Sequence, residues 1–182
     1  MKVKSFLGIL LGLAMVLGTS SLGIGAEVLF KDYDVVVVQN LQVPSGSPAP
    51  ESSGLQMAEK AVYQISRYNE KSKPFEMIVK EGSKGKEIPS GKKVLIIKGE
   101  VKEYTPPTVG GRVGRSFIPG VGGHLGSASF AAHYQFIDKD SGKVIYETDL
   151  RTSSTGANDT VEYAMDRNGE ALAKLIIKYK GK

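Results

Sequence analysis

The sequence predicts an α/β fold of the α+β-like kind. A single mixed, largely antiparallel sheet carries two helices packed on one face, in the order β-α-β-β-β-β-α. Three observations lead there. Two short runs, Asp34-Val-Val-Val-Val38 and Val94-Leu-Ile-Ile97, are apolar at successive positions, as strands covered on both sides are. Two adjoining stretches around a tight turn alternate apolar and polar residues with period two. Two further segments repeat apolar residues at helical spacing.

The chain has 182 residues, no cysteine and a formal net charge of +5. That length holds one domain with a real core. Without cysteine, disulfides, thiol nucleophiles and lipid attachment through an N-terminal Cys are excluded, so packing alone must hold the fold. The charge is mild and does not indicate a nucleic-acid partner.

Lys2 and Lys4 precede an apolar run from Phe6 to Leu17, followed by Thr19, Ser20, Ser21 and Ile24-Gly25-Ala26. This is the tripartite pattern of an export signal, with cleavage expected between Ala26 and Glu27. The alternative is a retained anchor, since Phe6 to Ala26 carries no charge and could just span a bilayer. The expected division is a signal over residues 1–26 and one domain over residues 27–182.

Within the domain, Asp34 to Val38 is the first strand and Pro44 to Pro50 a loop. Leu55, Ala58, Val62 and Ile65 predict a helix from about Gly54 to Asn69, capped by Ser52 or Ser53. Phe75 to Val79 is a second short strand, and Glu81 to Lys93 reads as an exposed, mobile connection. Val94 to Tyr104 starts apolar and then places charges at alternate positions, so this strand should leave the core and become half-exposed. Ala128, Phe130, Ala132, Tyr134 and Phe136 form one face of the next strand. Asp138 to Lys143 is the turn, with Gly142 at positive φ, and Val144 to Arg151 is its hairpin partner. The last helix carries Val161, Met165, Leu172, Leu175 and Tyr179 on one stripe. Asp159 and Glu162 stand at capping-box spacing, and Gly169 weakens the middle.

The stretch between Tyr104 and Phe130 stands apart. Seven glycines fall between Gly110 and Gly126, and no Asp or Glu occurs from Tyr104 to Ile137. Gly110, Gly111, Arg112, Gly114 and Arg115 offer backbone N–H groups and guanidinium forks, the chemistry that binds carboxylate or phosphate. The plain alternative is a long hairpin tip with two solvated arginines. Val113, Phe117, Val121 and Leu125 share odd parity, whereas the following strand buries even positions. A break is therefore expected near Gly126 to Ala128. We read residues 106–126 as an arm that contacts a partner through Phe117, Val121 and the arginines, with His124 on its polar side.

Catalytic readings fail on spacing. Val109 stands where a phosphate-binding P-loop needs its first glycine, Arg115 where it needs lysine, and Phe117-Ile-Pro-Gly120 opens no helix. Leu125 replaces the third glycine of a dinucleotide fingerprint. Asp138 and Asp140 lack the further ligands of a calcium loop. His133 falls on the polar side of its strand, and His124 has no local carboxylate to orient it. No catalytic residue, metal site or cofactor is assigned. The runner-up reading is a small-molecule or anion-binding enzyme with its site near Arg115 and His124.

Three segments together resemble a bacterial family of domains of unknown function, the one numbered forty-four ten. They are Val94-Leu-Ile-Ile-Lys-Gly-Glu-Val101, the Gly-Gly-Arg-Val-Gly-Arg and Gly-Val-Gly-Gly runs with Ala128 and Phe130, and Phe136-Ile-Asp-Lys-Asp-Ser-Gly-Lys-Val-Ile-Tyr-Glu-Thr148. The resemblance spans about Val35 to Lys178. It implies an exported envelope protein without an assigned activity. Many members carry a lipobox cysteine, which this chain lacks. The architecture also resembles the periplasmic domains of curli-secretion lipoproteins and related assembly factors, a likeness that transfers no site. The expectation is a non-enzymatic binding or assembly module in the periplasm or at the outer membrane, with no lipid anchor through Cys. Its partner would be an envelope protein or a membrane surface, and homo-oligomerisation is compatible with it.

Overall fold

The computed structural model describes residues 28–108, 126–154 and 159–181. The elements are β1 (Val35–Val38), α1 (Ser53–Ser72), β2 (Met77–Lys80), β3 (Val94–Thr105), β4 (Ser129–Asp138), β5 (Val144–Ser153) and α2 (Val161–Lys180). They form one five-stranded mixed sheet in the order β2-β1-β3-β4-β5, and the element order is the predicted β-α-β-β-β-β-α. β1 runs parallel to both β2 and β3, while β3, β4 and β5 are successively antiparallel.

Both helices cover the same face. Beneath them Val36, Val38, Leu95, Ile97, Val101, Phe130, Ala132, Tyr134 and Phe136 meet Met57, Ala61 and Ile65 of α1 and Met165, Leu172 and Ile176 of α2. Each large side chain so buried contributes roughly 1.5–3 kcal/mol. Phe30 extends this core, stacking on Phe136 at 5.1 Å between ring centroids. Gly169 has a packing reason. A Cβ there would stand 3.2 Å from the Lys60 carbonyl oxygen, so glycine lets the two helices approach closely. Asn168 is fully buried and pins the layer. The Tyr134 hydroxyl donates to its Oδ1 at 2.7 Å, and its Nδ2 donates to the Leu150 carbonyl at 2.9 Å.

The parallel half of the sheet has a second, smaller cluster on its other face. Val35, Val37, Val79 and Val94 are joined there by Met77, Ile88 and Ile96. This explains why β1 and the start of β3 are apolar at every position. The connection from Glu81 to Lys93 is mostly exposed, as expected, with the half-buried Ile88 packing onto the cluster. β3 becomes half-exposed after Ile97, as predicted, and carries a bulge between Val101 and Glu103.

The hairpin turn is as the sequence predicts. Gly142 has φ of 68° and its N–H donates to the Asp138 carbonyl at 2.9 Å. The Asp138 carboxylate accepts from the Ser141 hydroxyl and N–H and from the Tyr33 hydroxyl. The Ser141 bonds first, then Tyr33, hold its pKa down to about 2.

The α1 cap falls where expected, and the α2 cap does not. Ser52 occupies the N-cap of α1 but makes no side-chain cap bond, and the Ser53 hydroxyl donates to the Pro50 carbonyl instead. At α2 the cap is Thr160, whose hydroxyl accepts from the Tyr163 N–H at 3.1 Å. Asp159 is drawn away by tertiary partners, accepting from the Ala128 N–H at 2.9 Å and from the Ser154 hydroxyl.

Candidate functional site

Opposite the helices, the antiparallel half of the sheet presents an open, polar face. Its side chains fall in rows set by the strand register. Lys98, Gln135 and Glu147 form one row, and Glu100, His133 and Asp149 the next. Glu103, Ala131 and Arg151 form a third, and Thr105, Ser129 and Ser153 the last.

The third row is an ion-pair clamp. Ala131 in the middle is small, so Glu103 and Arg151 reach each other across it. The Arg151 Nε and Nη2 donate to the two Glu103 carboxylate oxygens at 2.7 and 2.9 Å. The Ser129 hydroxyl donates to the same carboxylate, and so does Thr105 Oγ1 at 3.2 Å. Arg151, followed by Ser129 and Thr105, holds the Glu103 pKa down to about 2 against its partial burial. The clamp ties β3 to β5 at the end of the sheet where β3 gives way to the glycine-rich stretch.

Beyond it the two chain ends stay together. Thr105 pairs with Ser129, and the Thr108 N–H donates to the Gly126 carbonyl at 3.1 Å. Gly126, at the predicted break, has φ of 70°, a conformation that suits glycine. Residues 109–125 are thus inserted between two strands that are hydrogen-bonded at the insertion point. The predicted partner-binding residues Gly110, Gly111, Arg112, Gly114, Arg115, Phe117, Val121 and His124 lie outside the described residues. So do Ala26 and Glu27 at the expected cleavage point.

Sequence reasoning left His133 as a solvated residue, and the structure gives it partners. Its Nδ1 lies 3.0 Å from Asp149 and its Nε2 3.8 Å from Glu147, with the ring 26% exposed. A groove of about 390 Å³ runs past it, bounded by Gln39, Asn40, Gln42, Lys98, Glu100 and Gln135. The turn alone gives only a partial signal: counting back from it sets His133 opposite Thr148, and the bulge between Phe136 and Ile137 moves the pairing to Asp149 on the polar face. Both ring nitrogens face carboxylates across the strands, and no serine or threonine hydroxyl among the described residues is hydrogen-bonded to the ring. Among the described residues no three His, Asp or Glu side chains converge to hold a metal ion.

No family model and no curated protein matches the chain. Solved structures do. The chain is similar to a dodecamer of a single-substitution variant of PelC from Paraburkholderia phytofirmans. Identity is 11%, coverage is 86% of this chain and 94% of that one, and the TM-score is 0.53. A second PelC dodecamer from the same organism matches at 11% identity, 78% and 86% coverage and a TM-score of 0.50. XCC0632 of Xanthomonas campestris, assigned to DUF330, matches at 10% identity, 78% and 80% coverage and a TM-score of 0.46. At such identities the PelC likeness is one of fold.

Proposed function

We propose that the protein is an exported bacterial envelope protein acting as a non-enzymatic binding or assembly module through its arm at residues 106–126. One observation carries this reading. The stretch richest in glycine and arginine leaves and re-enters the sheet at hydrogen-bonded neighbours, Thr108 and Gly126, backed by the Glu103–Arg151 clamp. A base fixed in this way lowers the entropy lost when a long insertion engages a partner. Insertions of this length in compact domains are usually functional or disordered.

Export rests on the N-terminal pattern, with cleavage between Ala26 and Glu27. The resemblance to the family numbered forty-four ten supports the same compartment, the periplasm or the outer-membrane surface. The PelC structures are dodecamers, and on the shared fold we extend self-association to this chain, with an envelope protein or membrane surface as the further partner. The test replaces residues 106–126 with a short Gly-Ser turn. Capture of envelope proteins and oligomer mass by light scattering are then compared with the intact chain. Loss of capture or of the oligomer, with melting unchanged, is expected. Unchanged capture and unchanged mass would overturn the reading. Mass spectrometry of the envelope protein should find Glu27 first.

A further inference from the structure

The strand register gathers several features at one pole. Val35 pairs with both Met77 and Val94, and Leu95 with Asp138. The starts of β1, β2 and β3 and the β4–β5 turn therefore lie at the same end. Both helices finish there too, since Ser72 of α1 and Lys178 of α2 line one groove. That groove, about 730 Å³, is bounded by Lys31, Ser72, Pro74, Ile177, Lys178 and Lys180. Its walls are apolar at Pro74 and Ile177, and its rim is lysine. Lys71 and Lys73 flank it in sequence.

Some of this charge is ordinary. Lys71, Lys178 and Lys180 lie in last helical turns, where cations complement the helix dipole. Lys180 is also structural, its ammonium donating to the Lys31 and Tyr33 carbonyls. The dipole does not account for Lys31, which is outside any helix, nor for the apolar walls between the lysines. Nor is the charge cancelled locally. Glu76 is paired with Lys92, and Asp138 and Asp140 share the β4–β5 turn with Lys139 and Lys143, leaving Asp32, Asp34 and Glu70 against five lysines. The same pole receives the N-terminal segment. Val28, the first described residue, is 44% exposed and sits against Gly181, where a Cβ would come within 2.6 Å of it. The chain therefore enters the domain beside this groove.

We infer that this lysine-rimmed pole is a docking surface for an anionic phospholipid bilayer, with lipid phosphates meeting the lysines and the Pro74–Ile177 walls meeting the interface. The inference rests on the envelope reading and deepens it by naming the surface that faces the membrane. Charge complementarity to anionic headgroups and the apolar walls between the lysines both select this pole. The opposite pole, where the arm is inserted, is left free for a protein partner.

The absence of cysteine makes the test direct. In the mature chain beginning at Glu27, single cysteines at Ser72→Cys beside the groove and Ser45→Cys at the opposite pole would carry an environment-sensitive fluorophore. The chain is then added to phosphatidylcholine vesicles with or without phosphatidylglycerol. With the N-terminal segment removed, docking of the domain is read separately from insertion of that segment. The label at Ser72 should shift to the blue and be quenched by spin-labelled lipid only when phosphatidylglycerol is present. Added salt should reverse this, because exposed charges are screened. Lys31→Glu with Lys178→Glu should abolish the shift with circular dichroism unchanged. An equal response from both labels, an equal response on neutral vesicles, or none would overturn the inference. A response to polyglutamate or heparin without one to anionic vesicles would replace the bilayer with an anionic macromolecule. None of these outcomes bears on arm-dependent capture, so this proposal and the assembly reading fail separately.

Discussion

Phe130, Tyr134 and Phe136 on one face of β4 are fully buried beneath α1 and α2, whereas Ala131, His133 and Gln135 on the other face are only half-buried. The backbone is common to both sets, and so are its ladders to β3 and β5. What differs is the second layer. On the covered face apolar area is removed from water and every methylene counts. On the open face the contacts are cross-strand pairs such as His133–Asp149 and Glu103–Arg151, each worth at most about 1 kcal/mol where solvent screens it. Stability is therefore concentrated beneath the helices, and the open face contributes little.

The sharpest way to break this comparison is a matched pair on β4. Phe136→Ala should cost about 3–5 kcal/mol, as buried aromatic truncations do. His133→Ala, three positions away on the open face, should stay within about 0.5 kcal/mol. Urea melts read both. Similar losses would mean that the open face is covered in solution.

A smaller effect is expected at the turn joining the two strands. Gly142 has φ of 68° with open space around it, so only backbone conformation opposes a side chain. Gly142→Val should cost roughly 1 kcal/mol or more. An unchanged urea midpoint and slope would remove the turn from the account.

The smallest effect belongs to the open-face clamp and appears only in acid. The Glu103 carboxyl is depressed from 4.5 to about 2 in the folded chain. Its contribution is therefore present above pH 4.5 and lost as pH falls toward 2. Glu103→Gln should flatten the stability profile within that window and leave it unchanged at neutral pH apart from the lost ion pair. Part of the acid sensitivity should remain, because Asp138 is also depressed to about 2. A mutant profile parallel to the parent in acid would show that the clamp does not form.

These regions also differ in how far the sequence discloses them. The covered face was readable because burial imposes a period. Val35 to Val38 is apolar throughout, β4 and β5 alternate, and Met165 and Leu172 share a helical stripe. The cap of α2 is hidden because spacing cannot see tertiary partners. Asp159 has capping geometry in the sequence, yet the Ala128 N–H and Ser154 claim its carboxylate. The clamp was hidden for a similar reason. Glu103 and Arg151 are 48 residues apart and meet only across Ala131 of an intervening strand. His133–Asp149 needed the hairpin register, which a bulge between Phe136 and Ile137 shifts by one.

The most direct test of the division between a stabilising face and an arm proposed to recognise a partner is a thermal melt paired with a capture assay. The variants are Phe117→Ser with Val121→Ser and, separately, Arg112→Ala with Arg115→Ala. The account predicts that the serine pair leaves melting nearly unchanged while partner capture is lost. The alanine pair should weaken capture as added salt does, through screening of exposed charge. A loss of roughly 2–5 kcal/mol in the serine pair, the cost of truncating core side chains, would place Phe117 and Val121 in the core and contradict the account.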